Sequence, residues 1–220
     1  MFHHFHDNQL HKQGQGSISK DDFYELIKFI GHENILGAEE FFNRFKENKL
    51  KPKEVCFTFD DGIRCQYDVA LPVLEDLNIK SFFFVYSSLL KKNPDMLEVY
   101  RYFRMNFFND VDDFYNRFFK NLDKDLNLFF KDKDKIIDKS KVKYPYYSIN
   151  DIKFRLIRDK FLTGEEYKTT MFRMFDEKNF NHKKCYEILF LNSEHLKKIK
   201  ELGHLIGLHS HTHPMLLENL

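Results

Sequence analysis

"EVCFTFDDG" (residues 54–62) is the stretch on which the architecture of this chain turns. Val55, Cys56, Phe57 and Phe59 make a short, β-rich and mostly apolar run, and Asp60, Asp61 and Gly62 follow it at once. A strand of this kind is buried in a parallel sheet, and polar residues crowded onto its C-terminal end mark the working end. Successive side chains on a strand alternate, so the two carboxylates can serve two different tasks. Gly62 allows the sharp turn that follows. The same letters also describe an ordinary acidic turn, and the neighbouring sequence decides between the two.

Reading outward, "RCQYDVALPVLEDLN" (64–78) has helical character, with Pro72 either kinking the helix or lying near a start. "SFFFVYSS" (81–88) is a second buried strand. Strand, helix and strand in this order form a βαβ unit, which predicts a parallel α/β sheet. Upstream, "HHFH" (3–6) is a short candidate strand. Ser19 is placed to cap a helix bearing Phe23, Leu26, Ile27 and Ile30 on one face, with Gly31 at its end. A second short helix covers 38–45. Far downstream, "NSEHLKKIKELGH" (192–204) reads as a helix capped by Ser193 and closed by Gly203, and "LIGL" (205–208) as another strand. That strand runs straight into His209, His211 and His213. Both polar clusters therefore stand at the C-terminal ends of parallel strands, where α/β folds build their sites.

The hundred or so residues between the second and third strands exceed what a βα succession needs. They read as a largely helical insertion rich in Phe and Tyr, broken at "YPYYSIND", with the aromatics forming a core of their own. The expected division is 1–90 for the first βα units, 91–192 for the insertion, and 193–220 for the last helix, strand and histidines.

Composition narrows the function. With 35 Lys+Arg against 34 Asp+Glu the net charge is +1, and basic runs such as "KDKDKIIDKSKVK" (131–143) are mixed in sign. This gives no footprint for nucleic acid or an anionic membrane. Cys56, Cys65 and Cys185 form no CxxC pair or even set and read as reduced thiols. No signal peptide and no membrane-spanning run are visible, so the expected location is cytoplasmic.

If the histidine segment stays extended, all three imidazoles share a face; if it coils, His209 and His213 become neighbours at i and i+4. Two imidazoles and one carboxylate leave an open coordination position and suit zinc, although the same set also fits a non-haem iron site. An exposed histidine-rich tail is the bland alternative.

Taken together, "FTFDDG", the βαβ unit and "ELGHLIGLHSHTHP" (201–214) resemble the polysaccharide deacetylases, the NodB-homology domain of carbohydrate esterase family 4. The opening "MFHHFHD" is similar to the first strand of one branch of that family, with Phe2 in place of Tyr. The resemblance implies a distorted (β/α) barrel, here partial and carrying the helical insertion. It implies that Asp61, His209 and His213 ligate one divalent metal ion, zinc being usual, that Asp60 is the catalytic base, and that Ser210 supports the histidine loop. His211 falls at a variable position of the motif and is expected to point away. His3, His4 and His6 stay open between strand packing, solvent exposure and approach to the site. The reaction implied is hydrolysis of an N-acyl group, acetamido or formamido, on a sugar used in polysaccharide or glycolipid synthesis.

The family's later Arg-x-Pro, Asp-x-x-Asp-Trp and Leu-x-His segments do not follow His213 in this sequence, which has no Trp. Arg155, Arg158 and Arg173 are the candidate substitutes. The expectation is an N-terminal portion or interrupted copy of a deacetylase. Its exposed strand edge would favour self-association or cover by a second chain. A non-catalytic metal-binding or interaction module derived from such an enzyme is the competing reading.

Overall fold

The computed structural model describes residues 1–91, 93–131 and 133–213. It is an α/β structure, mostly helical, with a small open three-stranded parallel sheet. The chain divides into two compact units, one of Met1–Val99 with the chain from Lys183 onward, the other of Tyr100–His182.

In the first unit the strands are β1 (Thr58–Phe59), β2 (Phe82–Val85) and β3 (Leu205–Leu208), in spatial order β1-β2-β3. The register pairs Phe59 with Phe83, Phe83 with Ile206, and Val85 with Leu208. Such an open sheet is common to a partial barrel and to a plain α/β layer. β1 is shorter than the 54–59 run suggested, because that run divides its hydrogen bonds among several neighbours. Val55 pairs with Ile35, the Phe57 carbonyl accepts from Phe82 N–H, and Phe59 is flanked by Phe2 on its other side. The strand expected at 3–6 is not formed: isolated bridges join Phe5 to Ile18 and, just before the segment, Phe2 to Phe59.

The core of this unit is aromatic. Phe23, Phe59 and Phe83 are fully buried, and Phe59 stacks on Phe83 with ring centres 4.8 Å apart. Phe2, Phe5 and Phe57 pack around Phe23. Each such ring contributes about 1.5–3 kcal/mol on full burial. Phe23 comes from α1 (Lys20–Ile30), whose Ser19 and Asp22 form a reciprocal capping box. After α2 (Ala38–Lys46), the predicted 64–78 helix opens as a π-type turn at Gln66–Ala70 and becomes α3 (Leu71–Asp76), with Pro72 in its first turn. Helical residues 64–70 precede Pro72, and its missing N–H falls next to the π-type turn, where the hydrogen-bond ladder is already widened. Beyond β2, α10 (Tyr186–Leu189) and α11 (Ser193–Glu201) lead into β3 once the chain has returned from the second unit. Asn192, not Ser193, caps α11, pairing reciprocally with His195. Asn is as good an N-cap as Ser, so the residue one position earlier takes the role. Gly207 in β3 faces the Phe84 ring so closely that a Cβ would lie 2.4 Å from it.

His204, just before β3, is 1% exposed and ties three elements together. Its Nδ1 accepts the Ser81 N–H at 3.1 Å, which leaves Nε2–H to donate to Glu75 at 3.0 Å. Burial holds its pKa below the usual histidine value, outweighing the opposing pull of Glu75. The folded state therefore takes up this proton at a lower pH than the unfolded chain, which does so below about pH 6.5. Stability from this group is present above that pH and is lost as pH falls, by up to about 1.4 kcal/mol per pH unit. Thermal melts of the wild type between pH 5 and 8, against His204→Gln, should show this slope in the wild type and its reduction in the variant.

The second unit is helical. α4 (Met96–Asn106) carries the chain into it, and α5 (Val111–Lys120), α6 (Leu126–Phe130), α7 (Asp134–Lys143), α8 (Ile149–Lys160) and α9 (Gly164–Glu177) follow. Asp110, Asp125, Ser148 and Thr163 cap α5, α6, α8 and α9. The aromatics pack on one another: Phe118 against Phe154 at 4.9 Å, Phe103 against Phe175 at 4.6 Å, all four buried. They form a core, as expected of them. Among the described residues no helix is long and apolar enough to cross a membrane.

Candidate metal centre

Three strand ends meet at one place. Asp60 and Asp61 follow β1, Tyr86 follows β2, and His209 follows β3. The histidine loop is fixed to the end of β2 by its backbone. His209 N–H donates to Val85 O at 2.9 Å, Ser87 N–H to Ser210 O at 3.2 Å, and Ser88 N–H to His211 O at 2.9 Å. Ser210 and His213 both take positive φ, 67° and 55°, and the Ser210 hydroxyl accepts the His213 N–H at 3.0 Å. That bond closes the loop so that His209 and His213 come round to the same side, ring centres 5.4 Å apart. The His213 ring also stacks on Tyr86 at 5.3 Å, nearly parallel. His211 is exposed, with its Nδ1 2.8 Å from the Ser87 hydroxyl.

Asp61 turns out of the strand with φ 73°, and its Oδ1 lies 3.0 Å from His213 Nε2 and 3.4 Å from His209 Nε2. Close as they are, these contacts are not directed as hydrogen bonds, and Asp61 Oδ1 is buried without a hydrogen-bond partner among the described residues. One ligand atom from each of Asp61, His209 and His213 lies within 4.8 Å of the others. A buried, unsatisfied carboxylate oxygen costs about 1–3 kcal/mol, and a cation between the three groups removes that cost. Two imidazoles and a carboxylate form a donor set for a divalent transition metal, whose ligands at about 2 Å sit roughly 3 Å apart. The residues present fit such an ion.

Asp60 sits beside this group, 7% exposed, with Oδ1 also without a hydrogen-bond partner among the described residues. Burial raises its pKa above the usual carboxylate range, against the lowering influence of His209 and His3, while the charge of Asp61 adds to the rise. Its backbone is pinned on two sides: the N–H donates to Phe2 O at 3.0 Å and the carbonyl accepts from Gln66 Nε2 at 2.6 Å. Of the three N-terminal histidines, His3 places Nε2 3.6 Å from Asp61 Oδ2, His4 pairs with Glu98 at 3.0 Å, and His6 contacts the Ser17 hydroxyl at 3.1 Å. The candidate arginines each hold a carboxylate within the helical unit, Arg155 with Asp151, Arg158 with Asp159 and Arg173 with Asp123. Pro214 and the stretch to 220 lie outside the described residues.

Tyr86 and Gln66 were not singled out from sequence. Tyr86 could have been found by asking which residue ends β2 at the level of Asp60. Gln66 carries no such signal, since a lone Gln in a helical run is ordinarily solvated.

Comparison with curated proteins and with solved structures gives no significant match. Residues 47–106 match the family model for polysaccharide deacetylase. That stretch contains the carboxylate pair and the βαβ unit, while the histidines come from beyond it and reach Asp61 through β3. A deacetylase-like function, hydrolysis of carbohydrate amides in general, is what this match supports. Over residues 47–106 the chain is similar to a polysaccharide deacetylase domain, consistent with a partial NodB-homology domain.

Proposed function

We propose that this chain is a metal-dependent deacetylase acting on the N-acyl group of a sugar, in the building of a polysaccharide or glycolipid. The observation that carries the proposal is the convergence of His209 and His213 on the unpaired Asp61 Oδ1, beside a buried Asp60. Asp61, His209 and His213 would hold the ion, with zinc the favoured occupant. When bound, the ion would polarise the amide carbonyl and bring the pKa of its water toward neutrality.

The chain's own residues do the rest. Asp60 lies outside the ligand trio and accepts a proton from water as oxygen attacks the acyl carbon. The C–N bond of the adduct then breaks. The proton taken by Asp60 is returned to the departing nitrogen, leaving a carboxylate and a sugar amine. Tyr86 and Ser210 keep the imidazoles in place through stacking and loop closure.

The test is acetate release from N-acetylated amino-sugar oligomers by protein stripped with a chelator and then reloaded with zinc or cobalt. Stripping should abolish turnover and reloading should restore it. Undiminished turnover in fully stripped protein would overturn the proposal. Metal retention with no turnover on N-acetyl or N-formyl sugars would favour the non-catalytic module.

A further inference from the structure

We infer that His3 is a positioning residue of the metal centre: its imidazole faces the second oxygen of Asp61, and a buried glutamine amide holds its backbone in register with Asp60. This rests on the metal reading above and extends it to a segment that is distant in sequence from every ligand.

The geometry is specific. Gln66 is fully buried, and its amide nitrogen donates to two carbonyls, His3 O at 3.0 Å and Asp60 O at 2.6 Å. One side chain thereby fixes the N-terminal segment against the end of β1. Cys65 reinforces the attachment, its thiol 3.7 Å from His3 O and its sulfur accepting Phe5 N–H at 3.3 Å. Gln66 stands at the start of the π-type turn. The widened backbone of such turns recurs at functional sites. Held this way, His3 aims Nε2 at Asp61 Oδ2, while Oδ1 of the same carboxylate faces His209 and His213.

At 3.6 Å the His3–Asp61 contact is electrostatic rather than a hydrogen bond. A carboxylate whose Oδ1 ligates a cation has Oδ2 left to satisfy, and a neutral imidazole N–H facing that oxygen can do so. Partners of this kind fix the orientation of a ligating group and typically carry 10–100-fold in metal affinity. His4 and His6 are occupied by Glu98 and Ser17, so only His3 of that trio takes the role.

The experiment is zinc titration by calorimetry, with cobalt(II) absorption as a spectroscopic readout, on the wild type, His3→Ala, His3→Gln and Asp61→Ala. His3 is partly exposed, so its variants should keep the wild-type melting curve in the absence of metal. His3→Ala is expected to bind zinc about 10–100-fold more weakly and to shift the cobalt bands. His3→Gln, which still offers an N–H, should recover most of the affinity. Equal affinity in wild type and His3→Ala would overturn the role of His3 while leaving the metal centre intact. Equal weakness of His3→Gln and His3→Ala would also overturn it, assigning His3 to packing alone. A wild type that binds neither ion, or an Asp61→Ala variant that binds as well as the wild type, would remove the metal reading itself and this inference with it.

Discussion

Asp60→Asn is expected to lower turnover about 10²–10⁴-fold with no loss of bound metal. The substitution is nearly isosteric, and Asp60 is held by its backbone rather than by its carboxylate, through Phe2 O and Gln66 Nε2. Its removal as a base should therefore leave β1 and the trio of Asp61, His209 and His213 where they are. The mirror-image result belongs to Asp61, whose Oδ1 lies within 3.0 and 3.4 Å of both imidazoles. Metal analysis and acetate release measured on the same Asp60→Asn preparation separate the two roles. Full activity in Asp60→Asn, or loss of metal together with activity, would reverse the assignment of the adjacent carboxylates.

The second large effect falls on stability. Gly62→Ala is expected to destabilise the sheet-bearing unit by about 2–5 kcal/mol, adding the left-handed backbone cost for an L-residue, about 1–2 kcal/mol, to overpacking of about 1–3 kcal/mol. Gly62 has φ 61°, and a Cβ there would lie 2.9 Å from Leu89 Cδ2 and 3.0 Å from Val85 Cγ1. Both neighbours are buried and have little room to withdraw. Such a loss is a large part of the total stability of about 5–15 kcal/mol of an ordinary domain. Because Val85 O also receives the His209 N–H, strain relieved through β2 would displace the histidine loop as well. Urea denaturation of the variant is the measurement, and an unchanged midpoint would show that Val85 and Leu89 can yield.

The letters of the sequence carried the sheet well where hydrophobic pattern and punctuation agree. "LIGL" is β3 residue for residue, Ser19 caps α1, and Pro72 sits in a first turn. Periodicity could not foresee how the 54–59 run shares its hydrogen bonds among Ile35, β2 and Phe2, since long-range partners shorten a strand without altering its pattern. Asp60, Asp61, His209 and His213 were legible because unusual residues crowd the ends of apolar runs. Two things needed coordinates. The choice among His3, His4 and His6 depends on a register offset that no spacing rule gives. The importance of Gln66 lies in two backbone carbonyls, which have no sequence signature at all.

The sheet also makes the centre a gauge of folding. Asp61 reaches His209 only after β1, β2 and β3 have paired in order, across a long separation in sequence. Pairings of that kind close late, because chain entropy must be overcome before they reward the chain. The second unit is packed through contacts among its own helices. A population with the helices formed but β3 undocked would look substantially helical by circular dichroism and yet lack the tridentate set. Metal stoichiometry in a preparation would then count molecules whose last strand has found its register, a quantity that helical content alone overstates.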